Sequence, residues 1–218
     1  LIVENTLFAL DIFTPKAPPS LPLVLLTKDY NINFYNDLNI EILPQIIKNR
    51  KALYIIPTNV AAKLHSKNKD LKIAGITSLG LLSFLTTKEY VSINELDKKE
   101  IYISAPGATP DILSQFFFKN LDIEPEINYR SAPEIAKLLI INKIENAALP
   151  EPLATIAQKK NPKIKVLSLF TTLWSDLTKT RGMPQVCIAS FYDIDREELK
   201  VFFEKYTKAL KEIEKTPV

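Results

Sequence analysis

Short apolar runs alternate with segments of helical apolar spacing along the whole 218-residue chain. Short runs bounded by Pro, Asn or Lys are typical of buried strands, and apolar residues three or four positions apart are typical of amphipathic helices. The pattern predicts strands at Leu7–Phe13, Asn31–Tyr35, Ala52–Ile56, Leu71–Ile76, Ile101–Ser104, Glu126–Tyr129, Ala147–Leu149, Ile164–Phe170 and Val186–Phe191. It predicts helices at Ser20–Lys28, Ile40–Ile47, Val60–Leu64, Thr109–Phe118, after Ser131, at Leu153–Lys159 and at Asp195–Glu214. Strands that alternate with helices indicate the α/β class, with parallel sheets covered on both faces.

The order of strands, helices and prolines in the first half of the chain is repeated in the second. The spacing from Pro15 to Pro57 nearly equals the spacing from Pro106 to Pro150. A repeat of a whole α/β unit indicates two lobes. The last predicted helix has one apolar face and no third unit to cover, so we expect it to return to the first lobe. The predicted lobes are residues 1–81 with 187–218, and residues 82–186.

The loops that follow the predicted strands are rich in Pro, Ser, Thr and Asn. Ligands of open parallel sheets bind beyond the carboxyl ends of the strands, where helix N-termini offer backbone N–H groups to anions. The predicted substrate-binding residues are Pro15, Lys16, Ser20, Pro57, Thr58, Asn59, Thr77, Ser78, Gly107, Ala108, Thr109, Ser131, Glu151 and Gln185. For Ser20, Asn59, Thr109 and Ser131 the alternative is that they only cap helices; Ser131 and Glu134 have the spacing of a capping box.

Composition excludes several classes of function. The net charge is +3 and lysines lie near acids, without a basic stripe, so no nucleic-acid partner is expected. The single cysteine, Cys187, has apolar neighbours and reads as a buried thiol, and the single histidine, His65, is distant in sequence. A Cys/His metal cluster is thereby excluded by count. With only four glycines and no phosphate-binding loop, the chain shows no catalytic constellation and implies no cofactor.

Nothing in the sequence points to a membrane-spanning segment, because no apolar run approaches the roughly 20 residues that a helical span needs. No signal peptide is recognisable either. The sequence begins at Leu1 rather than at a methionine. The expectation is a processed or trimmed N-terminus.

Four stretches of the sequence resemble a known family. They are Ile55–Ala62, Thr77–Gly80, Pro106–Pro110 and Leu149–Pro152. They resemble the substrate-binding proteins of ABC transporters of the nitrate/sulfonate/bicarbonate and thiamine-pyrimidine type, and the Leu-Pro-Glu-Pro loop is the most specific of them. The resemblance implies a type II periplasmic-binding-protein fold, with two Rossmann-like lobes joined by two crossovers and a solute held between them.

The resemblance also implies export, delivery of a small polar or anionic organic solute to an ABC permease, and a monomer attached to the membrane only through a possible lipid anchor. The chain departs from the family at Pro15–Pro19, where relatives have a glycine-containing turn, so no particular solute is implied. One alternative is a cytoplasmic enzyme on the same fold, resembling menaquinone-pathway lyases or pyrimidine synthases, which would need His65 or Cys187 in the cleft. Another is the ligand-sensing domain of a regulator, which would need a neighbouring DNA-binding segment.

Overall fold

The chain divides into two compact units in a computed structural model that describes residues 10–104 and 106–215. One unit comprises the described residues up to Ser78 together with those from Pro184 onward, and the other runs from Leu79 to Met183. The chain therefore passes from one unit to the other twice. Both passages fall slightly before the predicted lobe boundaries after residues 81 and 186.

Strands and helices alternate along the described residues, as the apolar pattern predicts. The strands are β1 (Asp11–Pro15), β2 (Asn31–Tyr35), β3 (Ala52–Pro57), β4 (Leu71–Ser78), β5 (Leu82–Thr86), β6 (Glu100–Ile103), β7 (Glu126–Tyr129), β8 (Asn146–Pro150), β9 (Lys165–Leu169) and β10 (Val186–Phe191). The helices are α1 (Leu21–Val24), α2 (Thr58–Lys67), α3 (Thr109–Leu121), α4 (Ala132–Ile140), α5 (Leu153–Lys160), α6 (Phe170–Thr178) and α7 (Arg196–Lys215). The first part of the strand predicted at Leu7–Phe13, residues 7–9, lies outside the described residues.

Each unit contains a five-stranded sheet in its described residues, and the two sheets have the same topology. The strand order is β2-β1-β3-β10-β4 in one sheet and β7-β6-β8-β5-β9 in the other. In each sheet the first three strands are parallel, and the fourth is antiparallel to both of its neighbours. The prediction of parallel sheets holds for three strands of each sheet and is wrong at this fourth strand, where β10 and β5 each enter directly after a passage between the units.

The sheet of the first unit is buried on both faces, as predicted. Alternate residues of β3 point to opposite faces, so Leu53 and Ile55 join one core cluster while Tyr54 and Ile56 join the other. Helix α7 packs on the first of these clusters through its buried apolar face. The prediction that the last helix returns to the first unit is confirmed.

The sheet of the second unit is also buried on both faces. Its largest cluster is aromatic: Phe84 of β5 lies 4.3 Å from Phe170 and 5.5 Å from Phe118, measured between ring centroids. The opposite face buries Leu85 and Leu149 against α4 and α5. Strand β5 was not predicted, although its five residues are all buried.

Two predicted helices of the first unit are shorter than their apolar spacing suggests. In the segment Ser20–Lys28, only Leu21–Val24 is α-helical, and Leu26 N–H donates to the carbonyl of Leu23 in a tighter turn. The segment predicted at Ile40–Ile47 forms one π-helical turn, Leu38–Ile42. Pro44 lies inside the second segment, where the missing N–H of proline interrupts helical hydrogen bonding.

Candidate functional site

The predicted residues of the first unit lie at one edge of its sheet. Strands β1, β3 and β4 end there, at Pro15, Pro57 and Ser78, and β10 begins there because Val186 pairs with both Pro57 and Ser78. The predicted residues at this edge are Pro15, Lys16, Ser20, Pro57, Thr58, Asn59, Thr77, Ser78 and Gln185. The edge is the place where parallel sheets bind ligands.

Several of these residues serve the architecture of the edge. The Thr58 N–H donates to the carbonyl of Gln185 at 3.0 Å, and the Gln185 N–H donates to the carbonyl of Ser78 at 2.9 Å. The Thr77 hydroxyl donates to the carbonyl of Val186 at 3.2 Å. These bonds join the start of β10 to the ends of its two neighbouring strands, so the edge is held as one piece.

The Ser20 side chain bonds within the first loop and not to the first turn of α1. Its hydroxyl is buried, lies 2.7 Å from the hydroxyl of Thr14 and also donates to the carbonyl of Pro15. Ser20 is the N-cap residue of α1, as predicted, but its side chain makes no capping hydrogen bond. The neighbouring Lys16 side chain is exposed, while its N–H donates to the carbonyl of Tyr35 and ties the loop to the end of β2.

The hydroxyl oxygen of Thr58 is buried and has no partner within hydrogen-bond geometry. No other buried side-chain nitrogen or oxygen of the described residues is in this state. The Thr58 hydroxyl lies beside the thiol of Cys187, which is only a weak hydrogen-bonding group. Burial raises the pKa of Cys187 to about 11, against a smaller lowering by the Thr58 hydroxyl. Buried polar groups are nearly always paired, so an unpaired one is a candidate contact for water or a ligand.

Helix α2 begins at Thr58, two residues before the predicted start at Val60, and its N-cap is Pro57. Asn59 therefore lies within the first turn, where it is exposed, and the prediction that it is the N-cap is wrong. The extended backbone of Pro57 ends the strand and starts the helix without a side-chain cap.

The predicted residues of the second unit lie at the equivalent edge of its sheet. Strands β6, β7 and β8 end there, and β5 begins there because Leu82 pairs with Pro150. Gly107, Ala108 and Thr109 follow β6 in the chain. Ser131 follows β7, and Glu151 follows β8.

The starts of helices α3 and α4 differ from the predicted caps at Thr109 and Ser131. Helix α3 begins at Thr109 with Ala108 as its N-cap, so Thr109 is the first helical residue. Ser131 is the N-cap residue of α4, but its side chain makes no capping hydrogen bond. The expected capping box is absent because Glu134 pairs instead with Arg130, at 3.6 Å between Oε1 and Nε.

Glu151 acts as the local cap of α5. Its carboxylate accepts the N–H of Thr155 at 3.1 Å, and its own N–H donates to the carbonyl of Leu81 at 2.8 Å. A carboxylate in this place is stabilised by the N-terminal end of the helix dipole. These contacts account for Glu151 without a ligand.

Asp111, in the first turn of α3, was not among the predicted site residues. Its carboxylate accepts three hydrogen bonds of 2.7 Å, from the N–H of Gly107, the amide of Gln115 and the hydroxyl of Tyr129. Burial alone would raise the pKa of Asp111, but these three bonds outweigh it and lower the pKa. The same bond to Asp111, with burial, raises the pKa of Tyr129. Its position three residues after the N-cap is where capping carboxylates occur, and this was the available sequence signal.

Of the two residues that an enzyme of this fold would need, His65 lies away from the carboxyl edge of the first unit's sheet and Cys187 is buried in the core beside Thr58. The Nδ1 atom of His65 lies 2.8 Å from the carbonyl oxygen of Leu71, at the amino end of β4 and thus at the opposite edge of the sheet. Cys187 is fully buried in the core. Among residues 10–104 and 106–215, no three His, Cys, Asp or Glu side chains form a group that could hold a metal ion, and no helix is long and apolar enough to cross a membrane.

Two units built on one mixed-sheet topology, with two passages of the chain between them, define the type II periplasmic-binding class of fold. No protein-family model and no curated protein sequence matches the chain. Solved structures do match it. An ABC transporter protein from Parabacteroides distasonis has a TM-score of 0.79 at 18% identity, with 96% of this chain and 75% of that one covered.

Two further solved structures carry more informative descriptions. The periplasmic aliphatic sulphonate binding protein SsuA from Escherichia coli has a TM-score of 0.68 at 13% identity, covering 92% of this chain and 72% of that one. A nutrient binding protein from Burkholderia cenocepacia, bound to methionine, has a TM-score of 0.65 at 13% identity and covers 95% of each chain. The chain therefore has the fold of ABC-transporter substrate-binding proteins, which confirms the fold that its motifs imply.

Proposed function

We propose that this chain is an extracytoplasmic solute-binding protein. It captures a small polar or anionic organic solute between its two units and delivers it to the permease of an ABC transporter. Its fold supports this function, and so does the gathering of the predicted residues at the carboxyl edge of each sheet. The solved neighbours described as binding proteins point in the same direction.

The observation that carries the proposal is the unpaired hydroxyl of Thr58. It lies at a strand end, on the first residue of a helix, where the fold binds ligands. Leaving a buried hydroxyl unpaired costs about 1–3 kcal/mol. Such a group is retained where a ligand or water completes its hydrogen bonding, and a solute with an acceptor or donor at this point would do so.

In this proposal the two connecting segments between the units act as the hinge of the transport cycle. A solute that binds the closed form better than the open one shifts the equilibrium toward closure, and the permease would recognise the closed form. Gly80 and Gly182 lie beside the two passages, both with positive φ, and a Cβ on either would lie within 3.4 Å of Thr171 in α6. The two connecting segments therefore rest on one residue, which suits a hinge that moves as a unit.

A solute screen by thermal unfolding tests the proposal. The panel should include taurine and benzenesulfonate as sulfonates, thymine and thiamine as pyrimidines, and riboflavin as a flavin. We expect one class to raise the unfolding temperature and to be recovered unchanged from the incubation. Chemical conversion of a stabilising compound would overturn the binding role in favour of an enzyme on the same fold.

The extracytoplasmic location is tested independently at the level of the gene. A signal peptide with a lipobox cysteine encoded upstream of Leu1 would support export and a lipid anchor. A methionine codon directly before Leu1 would contradict both and favour the cytoplasmic alternative.

A further inference from the structure

The second unit contains an open depression of about 540 Å³ at the carboxyl edge of its sheet. Its lining residues are Ser104, Pro106, Tyr129, Arg130, Ser131 and Ala132. They come from two separate segments, the turn between β6 and α3 and the link between β7 and α4. The shape of the depression therefore depends on whatever fixes these two segments relative to each other.

The Asp111 carboxylate joins both segments. One oxygen accepts the N–H of Gly107 and the other accepts the hydroxyl of Tyr129, each at 2.7 Å. The amide of Gln115, one helical turn further along α3, donates to the second oxygen as well. Hydrogen bonds to an ionised acceptor are roughly twice as strong as neutral ones, so this buried carboxylate is a strong link.

The side of Gly107 on which a Cβ would project is open, so no described side chain packs against the turn there. Gly107 is exposed with φ +72°, and no described atom lies within 4 Å of an ideal Cβ built on it. The N–H bond to Asp111 therefore anchors Gly107 itself to α3. Tyr129, which contributes its ring to the depression, is oriented by the same carboxylate.

We propose that Asp111 is the positioning residue of a solute half-site in this depression, acting through Gly107 and Tyr129. The half-site suits an organic anion with an apolar part. Arg130 and Ser131 supply donors next to the N-terminus of α4, while Pro106 and the Tyr129 ring supply apolar surface. This assignment of a half-site rests on the proposed solute-binding function, whereas the link through Asp111 does not.

Glycine-selective ¹⁵N labelling tests the link directly, because the chain contains only four glycines. The exposed Gly107 amide should exchange its proton at least about tenfold more slowly than an unbonded loop amide at neutral pH, because it donates to a charged group. On acidification its proton shift should follow the ionisation of Asp111. Exchange at the rate of a free loop amide in the unaltered protein would overturn the proposal without any variant.

Asp111→Asn is the matched variant because it keeps the shape and removes the charge. It should speed exchange at Gly107 by about tenfold or more and leave the amides of Gly75, Gly80 and Gly182 unchanged, with recovery in Asp111→Glu. Unchanged protection of Gly107 in a folded Asp111→Asn protein would contradict the link. If that variant fails to fold, the exchange rate and acid titration of Gly107 in the unaltered protein decide.

Titration with benzenesulfonate tests the half-site independently of the proposed function. Binding should shift the Gly107 signal, and Tyr129→Phe should weaken binding several-fold while Gly107 stays protected. The control is Tyr102→Phe, since Tyr102 packs on the opposite face of the sheet. A panel compound that binds without moving Gly107, and equally well in Tyr129→Phe, would overturn the half-site alone. Failure of every panel compound to bind would count against the function and leave the exchange result for Asp111 standing.

Discussion

Replacing Thr58 by valine should stabilise the protein in the absence of solute. The hydroxyl oxygen of Thr58 is buried with no neighbour other than the weakly bonding thiol of Cys187 to satisfy it, so the folded state carries most of the desolvation cost of this group. Valine has nearly the same shape and presents a methyl group in place of the hydroxyl. The substitution therefore removes an unfavourable burial and opens no cavity.

The expected change in the free energy of unfolding follows from the burial of the Thr58 hydroxyl oxygen. Burying a hydroxyl without a partner costs about 1–3 kcal/mol in protein substitution data. Part of this value will be offset, because valine must fit the space beside Cys187 and the first turn of α2. We expect the free energy of unfolding of Thr58→Val to rise by about 1 kcal/mol.

Urea unfolding followed by circular dichroism measures this change, with Thr14→Val as the matched control. Thr14 is fully buried in the same unit, but its hydroxyl is paired with that of Ser20 at 2.7 Å. Removing a paired hydroxyl should lower the free energy of unfolding by about 1 kcal/mol. The two Thr→Val substitutions are thus expected to have opposite signs.

A destabilisation of Thr58→Val as large as that of Thr14→Val would refute the reasoning, since it would mean that the Thr58 hydroxyl has a partner in the free protein. If the hydroxyl contacts the solute, the same substitution should weaken binding by about tenfold, the equivalent of one lost hydrogen bond. A gain in stability with unchanged affinity would place the solute away from Thr58.

Three further predictions address other parts of the molecule. Because burial raises the pKa of the Cys187 thiol to about 11, this cysteine should react with Ellman's reagent at pH 8 only as fast as the protein unfolds; rapid labelling without urea would contradict its burial. In Gly75→Ala the new Cβ would lie 2.7 Å from the ring of Phe203, so urea unfolding should show a loss of about 1–3 kcal/mol, largely restored by adding Phe203→Leu. Hydrogen bonding lowers the pKa of Asp111 in the fold, so its ionised form contributes stability above the unfolded pKa of about 3.9, and this is lost as pH falls through the folded value. The difference in urea midpoint between the unaltered protein and Asp111→Asn should accordingly shrink from pH 6 toward pH 3, and a difference that does not depend on pH would count against an ionised Asp111.

The strands and the topology could be largely predicted because they depend on the burial of apolar side chains. Strands β2, β7 and β10 have the predicted bounds, and Ala52–Pro57 extends its prediction by one residue. Strand β5 was not predicted because its apolar residues directly continue those of the connecting segment from Leu79. No polar residue between them marks where the strand begins. Its antiparallel direction is a consequence of where the chain re-enters the sheet, which local periodicity does not encode.

Helix ends were predicted less well, because side chains that can cap a helix can also bond elsewhere. The Ser20 hydroxyl bonds to that of Thr14, and Glu134 forms an ion pair with Arg130. In each case a nearby group outside the helix competes for the same oxygen or nitrogen atoms, and sequence spacing cannot decide that competition. Asp111 shows the converse, since its contact with Tyr129 joins a helix to a strand far along the chain.

The ends of strands β3 and β8 are equivalent positions of the two repeats but carry different side chains. Strands β3 and β8 occupy equivalent places in their sheets and end at Pro57 and Pro150. The residue after Pro57 is Thr58, whose hydroxyl is left unpaired, whereas the residue after Pro150 is Glu151, whose carboxylate bonds within its own helix start. Equivalent backbone positions therefore leave one polar group available and consume the other. In the second unit Arg130, in the link after β7, has five N–H donors, of which its ion pair with Glu134 and its bond to the carbonyl of Tyr129 use only part, so the depression held by Asp111 is the better place to look for the second half of the site.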